Sequence, residues 1–318
     1  MNKVATFERV TKGFRRDIPP HRVCITWLIN NKCNYRCTYC LNGFEEPPRF
    51  RILSPDEWLS AWEEIYNKYG TTSIQITGGE PTVYPKFFEI MDNVGKMHYV
   101  ELQTNLSWDP QELIDKVSCE CVSRVGGSFH PQYAEFQPFL NKMVKLQEAG
   151  FKVEINYVAY PPLLKEAADR INEAKERQVQ LSILSFQGEY QGKKYPENYN
   201  DEEKAILKKL NVSSGESAEA MADWDVEKKK TGAVEQAQQP LRACRMGQMY
   251  TWIKPDGEAM RCCKSTTILG NIIDKTFNLL DEPLPCSIKN CICWRNMTVG
   301  EEGRWIDRWP GTKDKAKD

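Results

Sequence analysis

Short apolar runs alternate with longer amphipathic segments along residues 22–186. RVCITWLI (22–29) is the first of these runs, and its continuous β-branched, apolar character predicts a strand that is buried on both faces. Strands that alternate with helices pair in parallel, because each crossover returns the chain to the same edge of the sheet. The pattern therefore predicts an α/β fold in which the strands and their outer helices close into a partial barrel. The predicted strands are 22–29, 73–77, 99–104, 121–127, 151–159 and 179–186, and the predicted helices are 55–69, 85–97, 110–117, 136–149 and 163–176.

Three cysteines, Cys33, Cys37 and Cys40, follow the first predicted strand in the stretch INNKCNYRCTYCLNG. Three thiols in one short loop can form disulfides, hold a zinc ion or hold three corners of an iron–sulfur cluster. Structural zinc takes four protein ligands, and no histidine lies near this loop. A cubane cluster can accept three thiolates and leave one iron open, so the zinc and cluster interpretations both stay open on these three residues alone.

The composition of the whole chain limits its location and its partners. The N-terminus has no apolar core of signal-peptide length, and no run of about 18 apolar residues occurs, so we expect a cytoplasmic protein without a membrane partner. Disulfides are rare in that compartment, and the 12 cysteines therefore favour metal binding or catalysis. The formal net charge is −1 with acids and bases interspersed, which predicts no nucleic-acid partner.

A second motif, ITGGEPTVYP, follows the second predicted strand. Its glycines, Gly78 and Gly79, allow a close approach of the backbone to a neighbour, and Glu80 completes the motif. Together with Tyr39 inside the cysteine loop, the two motifs resemble the radical S-adenosylmethionine (radical SAM) superfamily. The resemblance implies a [4Fe–4S] cluster on the three loop cysteines with one open iron. It also implies that Tyr39 and the Gly-Gly-Glu segment contact S-adenosylmethionine (AdoMet).

Polar residues at the ends of later predicted strands are further candidates for contacts with AdoMet. The resemblance implies that the cofactor lies across the C-terminal edges of the strands, where parallel sheets generally bind ligands. Each candidate has an alternative interpretation as a helix cap or a turn former. His130 is either a proton-transfer group or a packing residue. The candidates are Thr104, Asn105, Ser128 and Asn156.

The resemblance also implies a reaction. Reductive cleavage of AdoMet releases a 5'-deoxyadenosyl radical, which abstracts hydrogen from a carbon of the substrate. The electron is expected from a flavodoxin- or ferredoxin-type donor. The outcome is epimerisation, dehydrogenation, dehydration or cross-linking, and the substrate is a sugar-like natural product, another small molecule or a peptide. Because no leader-recognition domain precedes the barrel, a small polar substrate is preferred over a leader-dependent peptide.

Cysteines return in the stretch CRMGQMYTWIKPDGEAMRC, where twelve residues separate Cys244 from Gly257 and four more precede Cys262. YTWI and EAMRC flank the turn residues Pro-Asp-Gly, which predicts a β-hairpin. The spacing resembles the opening of SPASM and twitch domains, and that resemblance implies one auxiliary [4Fe–4S] cluster. A structural zinc ribbon is the alternative. The candidate ligands are Cys244, Cys262, Cys286, Cys291 and Cys293.

The other cysteines have different interpretations. Cys263 is a candidate catalytic residue, because a radical enzyme that inverts a carbon centre needs a hydrogen-atom donor on the opposite face. A spare or alternative cluster ligand is the other interpretation of Cys263. Cys24, Cys119 and Cys121 lie in or beside predicted strands and are interpreted as buried small hydrophobes.

The chain divides into three predicted parts. Residues 1–186 form the radical SAM partial (β/α)6 TIM-like barrel. Residues 187–240 form a polar linker or lid with one short helix near 201–210. Residues 241–318 form a small cysteine-rich domain of the SPASM or twitch type that contains the hairpin. Two other functions stay open, an activase that generates a radical on a partner protein and a non-catalytic zinc-binding module.

Overall fold

The computed structural model describes residues 23–40, 50–210, 243–282 and 284–285. Its first part is a series of six strands, and a helix follows each of the first five. The strands are β1 (Cys24–Asn30), β2 (Ser73–Gly78), β3 (Tyr99–Thr104), β4 (Val122–Phe129), β5 (Val153–Ala159) and β6 (Gln180–Ser185). The helices are α1 (Pro55–Tyr69), α2 (Phe87–Gly95), α3 (Gln111–Lys116), α4 (Phe136–Glu148) and α5 (Ala167–Glu176).

Shorter elements follow the barrel strands. A small hairpin and one further helix come first, and the remaining strands belong to the C-terminal part of the chain. They are β7 (Gly188–Tyr190), β8 (Lys193–Tyr195), α6 (Asp201–Lys209), β9 (Ala243–Cys244), β10 (Tyr250–Ile253), β11 (Glu258–Met260), β12 (Ile268–Asn271) and β13 (Leu284–Pro285).

Nine strands form one sheet, in the order β12-β11-β10-β1-β2-β3-β4-β5-β6. The pairs from β1 to β6 are all parallel, which confirms the predicted α/β fold. The fourth strand begins one residue later than predicted, because Cys119–Cys121 forms a 3-10 turn capped by the Ser118 side chain. The fifth predicted helix likewise begins as a 3-10 segment, Pro161–Glu166, before α5.

Helix α1 begins and ends where its sequence signals predict. The Ser54 side chain accepts the N–H of Glu57, and the Glu57 carboxylate accepts the N–H of Ser54 at 2.8 Å, which forms a capping box. At the other end, Gly70 has φ 72° and donates its N–H to the Tyr66 carbonyl at 2.8 Å. A side chain is rarely tolerated at such a backbone angle, so glycine suits this position.

Trp27 shows which face of β1 meets the helices. Its ring lies 4.7 Å from the ring of Trp58 and 4.9 Å from that of Trp62, between ring centroids, and all three are fully buried against α1. Side chains alternate along a strand. Cys24, Thr26 and the other even-numbered residues of β1 therefore face the concave interior of the sheet.

The predicted C-terminal hairpin is confirmed, and it lies against the barrel. β10 and β11 pair in antiparallel fashion, while β10 pairs in parallel with β1, with Cys24 opposite Tyr250. The described part of the predicted third domain is therefore continuous with the barrel sheet. Sequence periodicity could not reveal this pairing, because more than 200 residues separate the two strands.

Part of the predicted linker packs on the barrel. The Tyr199 hydroxyl donates to the Ala159 carbonyl at 2.6 Å and accepts the N–H of Phe186 at 3.0 Å. Tyr195, Tyr199 and Leu207 are buried. Residues 188–209 thus form a hairpin and the predicted helix over the ends of β5 and β6, whereas 211–240 lie outside the described residues.

No helix among the described residues combines the length and the apolar character needed to cross a membrane.

Candidate active site

The cysteine loop begins where β1 ends, at the C-terminal edge of the sheet. Cys37 is buried, Cys33 is half-buried and Cys40 is exposed. Burial, reinforced by the neighbouring Cys40 and Cys33, raises the pKa of Cys37 to about 12. Burial also raises the pKa of Cys33, against a hydrogen bond from the N–H of Tyr35 to its sulfur. Without a cation the loop therefore favours neutral thiols over thiolates.

Two glycines bring the Gly-Gly-Glu segment against this loop. A Cβ atom on Gly79 would lie 2.2 Å from the Lys32 carbonyl oxygen, and one on Gly78 would lie 2.2 Å from the Asn30 carbonyl oxygen. The N–H of Gly79 donates to the Asn30 carbonyl, and that of Glu80 donates to the Lys32 carbonyl, both at 2.9 Å. The close backbone approach that the motif predicts is therefore made to the start of the cysteine loop. Contact of Gly78 and Gly79 with AdoMet stays a prediction.

Glu80 is fully buried and ties two strand ends together. One carboxylate oxygen accepts the Thr82 hydroxyl and the Thr104 hydroxyl, each at 2.7 Å, as well as the N–H of Thr82. The other oxygen accepts the N–H of Asn105 at 2.6 Å. Burial raises the pKa of Glu80, and these donors oppose that shift by stabilising the carboxylate. The side chain therefore has an internal role, and its contact with AdoMet stays a prediction.

Of the two predicted cofactor residues at the end of β3, Asn105 binds the loop as well. Asn105 donates from Nδ2 to the Asn34 side chain at 2.9 Å, and Asn34 donates to the Ser107 hydroxyl at 2.7 Å. The Thr104 hydroxyl accepts the N–H of Leu106 at 3.0 Å in addition to its bond with Glu80. Asn105 is thus brought to the cysteine loop, whereas Thr104 binds Glu80; contact of either residue with AdoMet stays a prediction.

The segment His-Pro-Gln-Tyr, residues 130–133, holds the loop from the other side. Tyr133 accepts the N–H of Arg36 at 2.9 Å, and its ring stacks on that of Tyr35 with centroids 4.4 Å apart. Gln132 makes two hydrogen bonds to Thr38. We call residues 130–133 the clamp segment. The sequence analysis did not predict that this segment contacts the cysteine loop. A polar run directly after a predicted strand could have indicated it.

Tyr39 and His130 contact each other within this arrangement. The Tyr39 hydroxyl and His130 Nδ1 are 3.1 Å apart, and the rings are stacked. Burial lowers the pKa of His130 to about 4, so its ring is neutral near pH 7. Tyr39 also packs against Tyr160 and Phe186. The packing interpretation of His130 therefore has a structural basis, and contact of Tyr39 with AdoMet stays a prediction.

Further into the barrel, the concave face of the sheet is polar. Asn156 donates from Nδ2 to Gln103 Oε1 at 3.0 Å. The Gln103 amide lies where a Cβ on Gly126 would be, at 2.4 Å, so glycine leaves room for it. Ser128 pairs with Asn156 in the β4–β5 register. The structure therefore brings these two predicted residues together, and their contact with AdoMet stays a prediction.

An ion network crosses the same face. Arg124 on β4 donates from Nη2 to Glu101 on β3 at 3.0 Å and from Nη1 to Glu154 on β5. Ser182 on β6 donates to the second oxygen of Glu154. Sequence reasoning missed this network. Its signal was the alternation of polar with apolar residues in β3, β4 and β5, which indicates a solvated inner face.

The three C-terminal cysteines that the structure describes lie at the opposite end of β1 from the loop. Cys244 is buried, Cys262 is half-buried and Cys263 is exposed. The length of β1 separates the two ends of the sheet by about 20 Å. A hydrogen-donor role for Cys263 stays a prediction, and it requires a substrate that reaches this end. Cys286, Cys291 and Cys293 lie outside the described residues.

Residues 27–130 match the family model of the Radical SAM superfamily. This chain carries a radical SAM domain. The matched range includes the cysteine loop, the Gly-Gly-Glu segment and the first residue of the clamp segment. Radical SAM domains use a [4Fe–4S] cluster and AdoMet, which agrees with the resemblance of the motifs.

Curated relatives of the radical SAM domain carry one recurring name. GTP 3',8-cyclase of Listeria monocytogenes serotype 4b is 25% identical over 179 residues, which make up 50% of this chain and 52% of that protein. GTP 3',8-cyclase of Clostridium perfringens is 28% identical over 213 residues, or 62% of this chain and 64% of that protein. The chain thus spans about half the length of the first relative and less than two thirds of the second.

Solved structures share the fold. Native anSMEcpe with bound AdoMet superposes with a TM-score of 0.56 at 19% identity, covering 80% of each chain. Streptococcus suis SuiB bound to precursor peptide SuiA superposes with a TM-score of 0.52 at 15% identity, covering 81% of this chain and 65% of that one. At these identities the likeness concerns architecture alone.

The donor set of the loop fits the cluster. Thiolate sulfur is the ligand that iron–sulfur clusters take, and Cys33, Cys37 and Cys40 are the donors that the loop offers. Within the described ranges, no three or more His, Cys, Asp or Glu side chains are grouped to hold a metal ion, so no fourth side chain joins these thiols. The same finding shows that Cys33, Cys37 and Cys40 are not themselves grouped closely enough to form a metal site.

Proposed function

We propose that this chain is a radical SAM enzyme whose three loop thiols gather around a [4Fe–4S] cluster and leave one iron for AdoMet. The observation that carries the proposal is the placement of Cys33, Cys37 and Cys40 at the C-terminal end of β1, with no fourth donor among the described side chains. Parallel sheets bind ligands at this edge. When bound, the cluster and AdoMet supply one-electron cleavage of the C5'–S bond to methionine and a 5'-deoxyadenosyl radical, which takes a hydrogen atom from the substrate.

The residues around the loop hold it in position for this chemistry. The Gly-Gly-Glu segment fixes the start of the loop through the contacts of Gly79 and Glu80 with Asn30 and Lys32. The clamp segment fixes the residues between the cysteines. A loop bound on both sides loses less conformational freedom when its thiols close on a cluster, which favours binding.

An aromatic wall beside the loop supports exclusion of water from the reacting atoms. Tyr160 contacts Tyr39, Phe186 and Tyr190, with ring centroids 5.0 to 5.3 Å apart. These residues come from the loop, the ends of β5 and β6, and the β7–β8 hairpin. A radical needs such protection because it reacts with any accessible hydrogen donor.

We infer that the substrate is polar. The concave face presents two carboxylates, a guanidinium and two carboxamides, from Glu101, Glu154, Arg124, Gln103 and Asn156. Such groups recognise hydroxyl, amino and amide groups by hydrogen bonding. A sugar-like natural product or a peptide meets this requirement. GTP is the first compound to test, because the curated relatives are named GTP 3',8-cyclase.

The auxiliary [4Fe–4S] cluster is also part of the proposal. It rests on the spacing of Cys244 and Cys262 around the confirmed hairpin. A flavodoxin- or ferredoxin-type protein is the proposed electron donor.

Anaerobic reconstitution with iron and sulfide, followed by AdoMet and a chemical reductant, tests the function. We expect 5'-deoxyadenosine from the wild-type protein, none from Cys33→Ala, Cys37→Ala or Cys40→Ala, and wild-type amounts from the control Cys119→Ala. Zinc without iron or sulfide in anaerobically prepared protein would instead establish the binding module. A single turnover that needs a large partner protein would establish the activase.

A further inference from the structure

Cys24, at the start of β1, lies next to the C-terminal cysteines. It is opposite Tyr250 in the β1–β10 register, and its N–H donates to the Met249 carbonyl at 2.9 Å. Cys244 precedes β10, and the antiparallel β11 returns the chain to the same end of the sheet, where Cys262 follows. Thiols from three separate segments therefore share one end of the barrel.

These residues form an apolar cluster of their own, separate from the main core. Every buried member of it except Tyr250 carries sulfur, and Cys262 packs against it from the side. We call this group the sulfur cluster. The prediction that Cys24 is buried is confirmed, but its neighbours are thiols and thioethers. Such soft donors are typical of thiophilic metal sites. The buried members are Cys24, Cys244, Met246, Met249 and Tyr250.

Arg261, the residue before Cys262, is buried beside this cluster with 6% of its surface exposed. Its Nε donates to the Met246 carbonyl at 2.8 Å, and its Nη atoms donate to the carbonyls of Cys244 and Pro285 at 2.9 Å and to that of Leu284. The guanidinium therefore binds together the chain segments around Cys244 and Cys262.

Within the described part of the chain, the guanidinium of Arg261 is bound by backbone carbonyls and forms no ion pair with a carboxylate. Burial of a charge is unfavourable unless an opposite charge or strong hydrogen bonds compensate it. Carbonyl dipoles supply part of that compensation. A centre ligated by thiolates is an anion and would supply the rest, since a metal that binds thiols displaces their protons.

We propose that Cys24 is a ligand, with Cys244 and Cys262, of the auxiliary iron–sulfur centre, and that Arg261 is its buried counter-cation. The inference rests on the auxiliary cluster of the proposed function and adds a ligand from the barrel itself. No three His, Cys, Asp or Glu side chains among the described residues are grouped to hold a metal ion, so Cys24, Cys244 and Cys262 draw together only when the centre binds, as part of its ligand set. These thiols lie at the N-terminal end of β1, about 20 Å along the strand from the loop cysteines.

Iron retention in a protein without the loop thiols tests the role of Cys24. In the Cys33→Ala/Cys37→Ala/Cys40→Ala background, we expect iron and acid-labile sulfide to remain after anaerobic reconstitution. Adding Cys24→Ser should speed iron loss to a chelator at least about tenfold, while adding the control Cys119→Ser should not. Equal retention in the two proteins would overturn the assignment.

Cys24→Val guards against a folding artefact, because valine keeps a small apolar side chain at this position but cannot bind metal. With the loop cysteines intact, we expect this variant to keep its far-ultraviolet circular dichroism and to lose the iron of the second centre. Full iron content in the folded variant would show that Cys24 only packs. Absence of AdoMet cleavage by the wild-type protein would be a separate result. It would argue against the proposed cluster on the loop cysteines and would not test Cys24.

Arg261 acts through charge if the inference is correct. In the background without loop thiols, we expect Arg261→Met to lower the reduction potential of the remaining centre, because removing a nearby cation disfavours electron uptake. Arg261→Lys keeps the charge and should restore the potential most of the way. Equal reduction potentials in all three proteins would mean that Arg261 only binds backbone carbonyls and does not stabilise the negative charge of the centre.

Discussion

Gln132 holds Thr38 by two hydrogen bonds, although 94 residues separate them in the chain. The N–H of Thr38 donates to Gln132 Oε1 at 3.0 Å, and Gln132 Nε2 donates to the Thr38 hydroxyl at 2.9 Å. Thr38 lies between Cys37 and Cys40. The side chain after β4 therefore fixes the backbone between two predicted cluster ligands.

Gln132→Ala removes both hydrogen bonds and should free the loop. Each is worth about 1 kcal/mol, so we expect the loop cluster to be lost to oxygen or a chelator roughly thirtyfold faster than in the wild-type protein. The decay of cluster absorbance measures this rate. Gln137→Ala, at an exposed position on α4, is the control and should not change it. An unchanged rate of cluster loss for Gln132→Ala would show that the clamp segment does not stabilise the cysteine loop.

Gly79→Ala introduces a Cβ that meets the Lys32 carbonyl at 2.2 Å. The neighbours are backbone atoms and must shift, so we expect a loss of about 2 to 3 kcal/mol in the free energy of unfolding and poor cluster retention. Urea denaturation measures the first effect. Gly192→Ala is the control, since no described residue other than its chain neighbours has an atom within 4 Å of the added Cβ, and only backbone strain of about 1 kcal/mol is expected. Equal losses in the two variants would contradict the close packing of the loop on Gly79.

Arg124→Met leaves the carboxylates of Glu101 and Glu154 facing each other without a cation. These side chains are only 17% and 14% exposed, so we expect a loss of about 2 kcal/mol, after allowance for solvent screening of the half-exposed arginine. Adding Glu101→Gln should recover part of the lost stability, because it removes one of the two charges. Urea denaturation of the single and double variants measures the interaction energy between Arg124 and Glu101.

Arg170→Met is the matched control for Arg124. Arg170 also binds two carboxylates, Glu166 and Glu173, but it does so along the surface of α5. Such pairs contribute about 0.5 kcal/mol each, so a smaller loss is expected. A larger loss at Arg170 would contradict the importance of burial in the Arg124 network.

His130 should make stability depend on pH. Burial lowers its pKa from the ordinary 6.5 to about 4, so the unfolded state binds more protons between these values. Stability is then fully present above pH 6.5 and falls as the pH is lowered towards 4, by at most about 3 kcal/mol. Thermal unfolding across this range measures the slope. His130→Gln should reduce the slope of stability against pH. Identical slopes in the variant and the wild-type protein would show that other titratable groups cause the pH dependence.

Local patterns predicted the parts of the fold that depend on neighbours in the chain. The apolar runs gave the strands, Ser54 and Gly70 gave the limits of α1, and the turn before Glu258 gave the β10–β11 hairpin. Each depends on backbone preferences over a few residues, which the sequence displays directly. The three-cysteine loop and the Gly-Gly-Glu segment were found in the same way.

Contacts between distant segments were not predictable from these patterns. Glu80 seemed available to a cofactor by its motif alone, yet four hydrogen bonds from three residues occupy its carboxylate. The polar strand positions could not be connected into the Arg124 network without the register of β3, β4 and β5. The β10 strand gave no indication that it would pair with β1.

The sequence alone determined the chemistry available to this protein: three thiols in a loop after a strand, a glycine pair that permits close packing, and a second group of cysteines around a hairpin. Only the tertiary structure decided which groups meet, including Gln132 with Thr38 and Cys24 with Cys244. The physical reason is that parallel pairing joins strands far apart in the chain, and its register is set by the burial of whole strand faces. No short stretch of sequence contains that information.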